Sequence, residues 1–394
     1  MKFFDDGQVT LHLGHVLDVL RELPSESVQC VVTSPPYWAL RAYGTEAQVW
    51  GGDAECEHSW TPRSAVDRGG NRRQLPHGDG RANDCYAGER IPYPAQNIGG
   101  VGDYCPCGAW RGELGHEPTP QMFVAHLVDI FREVRRVLKS DGVCFVNIGD
   151  SYSGSGKGPS SVNGLSKQHT NTGSLIGSTP MVEGTKAKDL VLIPERFAIA
   201  MCDDGWYVRS RIAWCKRAPM PESVKDRPTN AWEHIWMLTK SARYFWDADA
   251  VREPSGANDE TRKRATYGGY STGKAKLATG NGTTDFTSAT PDRYWPETRN
   301  MWNYWLLSPD PEPLAHFATF PREIPRRCIA AATREGDTVL DPFVGSGTTT
   351  MVARSMLRRS IGIDLNEAYL RDIALKKNAQ MAMMPVMPVI EVPA

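Results

Sequence analysis

The chain has 394 residues, enough to bury a large core as one enlarged domain or two. Its balance of 40% hydrophobic and 23% charged residues, at a net charge of −1, excludes a basic nucleic-acid coat protein but not an enzyme with a local basic cleft. No stretch reaches the roughly 20 apolar residues that span a bilayer, and nine scattered cysteines behind a start without an apolar leader point to a reducing cytoplasm.

Residues 9–38 read as a short strand, a helix around His15–Leu23, and an apolar strand over Val28-Gln29-Cys30-Val31-Val32 that ends at Thr33. Pro35 and Pro36 then halt ladder pairing and hold the backbone extended. The string Thr33-Ser34-Pro35-Pro36-Tyr37-Trp38 thus presents a hydroxyl, a freed carbonyl and an aromatic ring at a strand's carboxyl end. In an open α/β sheet ligands bind there, and this set suits a planar base bearing an exocyclic amine.

Residues 50–118 break the rhythm and read as an insertion rich in Gly, Arg, Asp and Pro, carrying His58, Cys56, Cys85, Cys105 and Cys107. Cys56-x-His58 and Cys105-x-Cys107 supply four ligands suited to a structural zinc, with Cys85 a substitute. A metal clip would offset the closure entropy of so long a polar loop; the competing reading is free thiols in a flexible insertion. Thr119-Pro120 then gives an N-cap and a first-turn proline. Phe123, Leu127, Ile130, Phe131, Val134 and Leu138 follow at helical spacing, Asp141-Gly142 ends the pattern, and Val143–Ile148 is a buried strand. Arg132, Arg135 and Arg136 sit opposite the apolar stripe and are expected to be solvated.

Residues 151–187, rich in Gly, Ser, Thr and Lys, are expected to form a mobile loop. A helix over Pro194–Asp203 and strands around Val208–Trp214 and His234–Thr239 follow, then a polar segment over 254–292. Basic clusters at Arg63, Arg68, Arg72 and Arg73, at Arg209, Arg211, Lys216 and Arg217, and at Arg262, Lys263 and Arg264 could meet phosphates and base edges. Tyr267, Tyr270 and Tyr294 interleave with the last of these.

The carboxyl end reads as a helix near Arg322–Thr333, then strand Thr338–Leu340, a glycine turn, helix Thr348–Arg358 and strand Ser360–Asp364, a βαβ unit. Its loop, Asp341-Pro342-Phe343-Val344-Gly345-Ser346-Gly347-Thr348-Thr349, opens a helix after a strand, where glycines let a ligand approach the backbone. Asp364, 17 residues beyond Gly347, is placed to bind ribose hydroxyls. A dinucleotide, a phosphate and S-adenosylmethionine are all candidates. A phosphate-binding Gly-Lys-Ser/Thr is absent, and Thr350 stands where the dinucleotide fingerprint has its third glycine.

The two strings together resemble the β group of amino-methyltransferases acting on DNA, a circular permutation with the catalytic string, here Ser-Pro-Pro-Tyr, first and the adenosylmethionine loop last. The resemblance is strongest over Leu11–Tyr37, Lys188–Asp247 and Ala315–Leu365. Lys216, Asp226-Arg227-Pro228, Glu233-His234 and Tyr244 are similar to members that methylate cytosine. It implies an α/β, doubly wound, mostly parallel seven-stranded Rossmann-like sheet, circularly permuted, with inserted loops and a target-recognition region. The expected divisions are 1–49 and 119–246 as the catalytic side, 50–118 as the insertion, 247–300 for target recognition, 301–375 for the cofactor half, and 376–394 as a tail. The implied target site is Ser34, Pro35, Pro36 and Tyr37. The implied cofactor site is Asp341, Phe343, Gly345, Gly347, Thr348 and Asp364, lined by Phe320 and Pro321 of the segment starting at His316.

The resemblance also implies S-adenosylmethionine as cofactor, double-stranded DNA as partner and a cognate restriction endonuclease. Ser rather than Asp at position 34 leans toward the N4 amine of cytosine over the N6 amine of adenine. C5 methylation would need a cysteine nucleophile, and the only Pro-Cys pair, Pro106-Cys107, lies in the cysteine cluster. RNA or protein-glutamine acceptors commonly go with Asn-Pro-Pro-Tyr, which is absent.

Overall fold

The computed structural model describes residues 1–40, 45–53, 55–62, 103–154, 182, 184–219, 221–222, 224–255, 298–308, 310 and 320–382. Cys85, the basic clusters at 63–73 and 262–264, Tyr267, Tyr270, Tyr294, His316–Thr319 and most of the loops at 151–187 and 254–292 lie outside the described residues. The chain divides into two compact units, residues 1–246 with 303–394, and residues 247–302.

In chain order the strands are β1 Lys2–Asp5, β2 Val9–Leu13, β3 Val28–Thr33, β4 Gln48–Trp50, β5 Thr61–Pro62, β6 Asp103–Tyr104, β7 Trp110–Gly112, β8 Leu138–Ile148, β9 Tyr207–Lys216, β10 Trp232–Thr239, β11 Glu253–Pro254, β12 Thr298–Arg299, β13 Tyr304–Leu307, β14 Thr338–Asp341 and β15 Arg359–Asp364. The main helices are α1 Val16–Glu22, α2 Pro120–Val137, α3 Ile193–Asp203, α4 Glu323–Ala332, α5 Thr348–Ser355 and α6 Leu375–Ala382.

The main sheet runs β1-β2-β15-β14-β3-β8-β10-β9-β13. The seven expected strands are there, extended at each edge by the short β1 and β13. β2, β15, β14, β3 and β8 are mutually parallel, β10 is antiparallel to both its neighbours, and β1 is antiparallel to β2. Every residue of β3, and every β8 residue from Val143 to Ile148, is buried. Both faces are therefore covered at the centre, as a parallel sheet requires. α1 packs on α2 and α2 on α3; a second group is formed by α4 and α6, both against α5.

Thr119 caps α2 as its sequence indicates, its side chain accepting Met122 N at 3.1 Å, with Pro120 opening the helix. Phe123, Leu127, Ile130, Phe131 and Val134 are all fully buried, each contributing about 1.5–3 kcal/mol of apolar burial. The helix stops earlier than the sequence pattern suggests. Leu138 is already extended and begins β8 with no intervening turn. Asp141-Gly142 falls in a shift of the β3–β8 register, between Val28↔Leu138 and Cys30↔Val143. A Cβ on Gly142 would lie 2.7 Å from Leu138 Cδ1, so the crowding there excludes a side chain.

The arginines of α2 are not merely solvated. Arg136 donates to the carbonyls of Leu20 and Leu23 at the end of α1, and Arg132 bonds Asp204 beyond α3 at 2.6 Å. The expected tail boundary at 376 falls inside α6, where Lys377 and Asn378 are buried. A four-stranded sheet, in the order β4-β7-β6-β5, is formed by β5, β6 and β7 of the 50–118 insertion together with β4 at its start.

Candidate active site

The catalytic string and the glycine loop, separated by 309 residues of chain (345 − 36), leave neighbouring strands. β3 and β14 are parallel, with Cys30 opposite Val339 and Val31 opposite Leu340. Both loops therefore emerge at the same sheet edge, where the carboxyl ends of strands form ligand crevices. A buried side-chain bond ties the edge together: Thr33 Oγ1 donates to Asp341 Oδ1 at 2.7 Å. Asp341 also accepts Thr349 Oγ1 at 2.7 Å and Phe343 N at 3.1 Å. Burial pushes its carboxyl up to about 6 despite those bonds. Asp341 thus braces the two loops, a role that its place in the motif did not reveal.

In the glycine loop, Gly345 and Gly347 have φ of +48° and +77°, values that favour glycine. A Cβ on Gly347 would also lie 2.9 Å from that of Ala374. Gly345 N donates to Asp364 Oδ2 at 2.9 Å and Asn366 N to Oδ1 at 2.7 Å, so Asp364 closes the loop from the end of β15. Burial raises its carboxyl to about 6 as well. Thr348 is buried at the start of α5 with its hydroxyl 3.2 Å from Ser346 Oγ. Phe320 and Pro321 are buried where the chain enters α4, which packs on α5.

Pro35 is buried, and Ser34, Pro36 and Tyr37 are half-buried. Trp38, only 1% exposed, anchors the string by donating Nε1 to the Glu117 carbonyl at 3.0 Å. Tyr37 is held at both ends. Its hydroxyl lies 2.7 Å from Glu233 Oε2, 3.0 Å from Asn147 Oδ1 and 3.5 Å from Ser34 Oγ. The phenol has one hydrogen, and the nearer, charged acceptor Glu233 is the stronger claimant. Asn147 Nδ2 donates to the His234 carbonyl at 3.0 Å, which points its oxygen at Tyr37. Lys216 Nζ donates to the second oxygen of Glu233 and lies 5.0 Å from the Trp214 ring centroid. The ring of Tyr37 occupies space that only a glycine leaves: a Cβ on Gly149 would come within 2.4 Å of it.

Asn147 and Gly149 carry no sequence signal beyond their place at the end of β8; only the sheet order brings them to Tyr37. The basic cluster of β9 is divided. Arg209 and Arg211 are exposed two residues apart, Lys216 is engaged with Glu233, and the Arg217 backbone N–H bonds Leu307 O at 3.2 Å. Away from the sheet edge, Cys56, His58, Cys105 and Cys107 converge, their ligand atoms all within 4.8 Å of one another.

A mostly parallel α/β sheet, with a Ser-Pro-Pro-Tyr string and a glycine loop at one edge, agrees with the family comparison: the chain belongs to the DNA methylase family, whose model matches residues 28–376. The Type II methyltransferase M.Cfr9I of Citrobacter freundii is 35% identical over 368 residues, spanning 93% of this chain and 87% of that protein. M.XycI of Xanthomonas campestris pv. cyanopsidis is 36% identical, spanning 91% and 84%, and M.SmaI of Serratia marcescens 32%, spanning 91% and 86%. Among solved structures, the PvuII DNA methyltransferase (cytosine-N4-specific) aligns over 95% of this chain and 91% of its own, with a TM-score of 0.50 at 17% identity, a likeness of fold.

Proposed function

We propose that this DNA methylase transfers a methyl group from S-adenosylmethionine to the exocyclic N4 amine of a cytosine flipped out of duplex DNA. The observation that carries the reading is the Thr33–Asp341 hydrogen bond between adjacent parallel strands. Donor and acceptor must meet at about 3–3.5 Å, and that bond fixes the amine-binding string beside the glycine loop.

The cofactor site fits its ligand chemically. Asp364 accepts Gly345 N on one carboxylate oxygen and Asn366 N on the other, with Leu365 N also bonded to the carboxylate, and its oxygens keep lone pairs for ribose hydroxyls. Gly345 adopts the left-handed turn that carries the loop past Asp364, Gly347 lets the loop pack closely on Ala374, and Phe343, Thr348, Phe320 and Pro321 complete the assigned lining. Bound S-adenosylmethionine supplies an activated sulfonium methyl group, so no covalent enzyme intermediate is needed. At the acceptor, the Ser34 hydroxyl and the Pro35 carbonyl accept the amine's hydrogens, which favours a tetrahedral nitrogen with an available lone pair. Among the described residues the only hydrogen-bond partner of Ser34 Oγ is the Tyr37 hydroxyl. It therefore orients the amine rather than acting as a strong base. Tyr37 stacks on the flipped base, its ring fixed by Glu233, Asn147 and the gap at Gly149.

Ser34 is the feature that favours cytosine, with N6-adenine methylation by the same scaffold as the alternative. The insertion of β15 and β14 between β2 and β3 supports the permuted β-group order. Residues 247–302, a compact unit between β10 and β13 in the chain, are assigned to reading the target sequence. A cognate restriction endonuclease is the expected counterpart, and the cytoplasm the expected compartment. Incubation with S-adenosylmethionine carrying a tritiated methyl group and duplex DNA, RNA or protein tests the acceptor class. Label in duplex DNA alone is expected; label only in RNA or protein overturns the reading.

A further inference from the structure

The four-stranded sheet of the insertion is too small to hold itself together. Its strands β4, β7, β6 and β5 contribute only three, three, two and two residues, whereas independent stability asks for strands of ordinary length on a sizeable apolar face. At the base of this sheet two pairs of metal-binding side chains meet from opposite sides of residues 63–102. Cys56 Sγ is 3.7 Å from Cys105 Sγ, and Cys107 Sγ is 3.4 Å from His58 Nδ1.

These separations discriminate between chemistries. A disulfide would need about 2.05 Å between sulfurs. Around a tetrahedral zinc with Zn–S of about 2.3 Å and Zn–N of about 2.0–2.1 Å, adjacent ligand atoms lie about 3.8 Å apart for two sulfurs and about 3.5 Å for sulfur and nitrogen. The observed pairs match the second case. The turn carrying Cys105 and Cys107 is already shaped: Cys105 N donates to Ala109 O and Gly108 N to Cys105 O, both at 2.9 Å, with Gly108 at φ +91°. Four donors from four residues close the coordination shell, the mark of a structural rather than a catalytic zinc.

The sheet is also linked to the catalytic string. Trp50 on β4 pairs with Trp110 on β7, and both are buried in the main core. Their rings stack on His126 of α2, with centroids 5.2 and 5.6 Å away. His126 Nδ1 is 2.9 Å from Glu117 Oε1, while Glu117 Oε2 accepts Gly115 N at 2.8 Å. Gly115 O accepts Ala39 N at 2.8 Å, and Glu117 O accepts Trp38 Nε1 at 3.0 Å. The segment after the cysteine turn therefore buttresses the residues that follow Ser34–Tyr37.

We propose that Cys56, His58, Cys105 and Cys107 hold one zinc ion that closes the insertion and, through Trp50, Trp110, His126 and Glu117, steadies the loop bearing Ser34–Tyr37. Metal binding of this kind is folding free energy for the segment it closes. The test uses the full chain purified in zinc-containing buffer. Elemental analysis should find about one zinc per chain, falling at least tenfold in Cys56→Ser and Cys107→Ser and unchanged in Cys202→Ser, an exposed thiol outside the cluster. Should the cluster variants fail to fold, cobalt exchanged into the wild-type chain should give the absorption of a tetrahedral, thiolate-bound ion. Wild-type protein without zinc, or cluster variants that fold and keep it, would overturn the site. Chelation of the wild-type chain should speed amide exchange at Tyr37, Trp38, Ala39 and residues 115–117 by about tenfold or more, leaving 343–347 unchanged. Unchanged exchange at Tyr37, Trp38 and Ala39 would overturn the link to the loop.

Discussion

Replacing Gly149 by alanine tests how the target base is held. The added Cβ would sit 2.4 Å from Tyr37 Cε2 and 2.6 Å from Cδ2, against a comfortable carbon–carbon separation of about 3.5 Å or more. The Gly149 backbone has no left-handed φ, so alanine strains nothing locally and the whole effect falls on the ring, which must retreat by about 1 Å. That retreat breaks the 2.7 Å bond to Glu233. A hydrogen bond to a charged group contributes about 1.5–3 kcal/mol, and a 1 Å displacement at a reacting centre can lower the rate about 10²-fold. Gly149→Ala should therefore lower kcat for methyl transfer roughly 10²-fold. Its affinity for S-adenosylmethionine, measured by titration calorimetry, should stay within about twofold of wild type, since the conflict is with Tyr37 rather than the glycine loop. A variant with wild-type kcat, or one whose cofactor affinity falls in parallel, would refute the reasoning.

Two further expectations follow from the buried carboxylates. Thr33→Val keeps the β-branched shape but removes the 2.7 Å donation to Asp341, and should lower the stability found by urea unfolding by about 2 kcal/mol; a change near zero would remove that bond from the account. Asp364 is raised by burial to about 6 from 3.8, so the folded chain holds this proton more tightly than the unfolded one. Its stabilising contribution is present below about pH 4 and is lost as pH rises to about 6. Between pH 4.5 and 7 the wild-type chain should lose about 2 kcal/mol relative to Asp364→Asn; a difference constant with pH would contradict the shift.

Much of this fold is written locally. Thr119-Pro120 and the stripe from Phe123 to Val134 specify α2, and the alternation of strand, glycine turn and helix from Thr338 to Asp364 specifies the cofactor half, because these patterns depend on neighbours a few residues apart. The interleaving of β14 and β15 between β2 and β3 is not local, and neither is the direct passage of α2 into β8, which the register with β3 determines. The same divide runs through the site. Ser34, Tyr37, Gly345 and Gly347 carry motif signals, whereas Asn147 and Gly149 meet Tyr37 only because β8 lies beside β3 and β10. Asp341 illustrates the limit best: its motif points to the cofactor, while its hydrogen bonds show it clamping Thr33 to Thr349. The cysteine cluster lies between, its residue types visible in sequence and its convergence visible only in three dimensions.

The most direct test of the central claim is the identity of the modified base. DNA from cells producing the wild-type chain, digested to nucleosides and resolved by mass spectrometry against DNA from cells producing Tyr37→Ala, should contain N4-methylcytosine that the variant's DNA lacks. N6-methyladenine in its place would contradict the choice of cytosine, and no new methylated base in either would contradict the transfer itself.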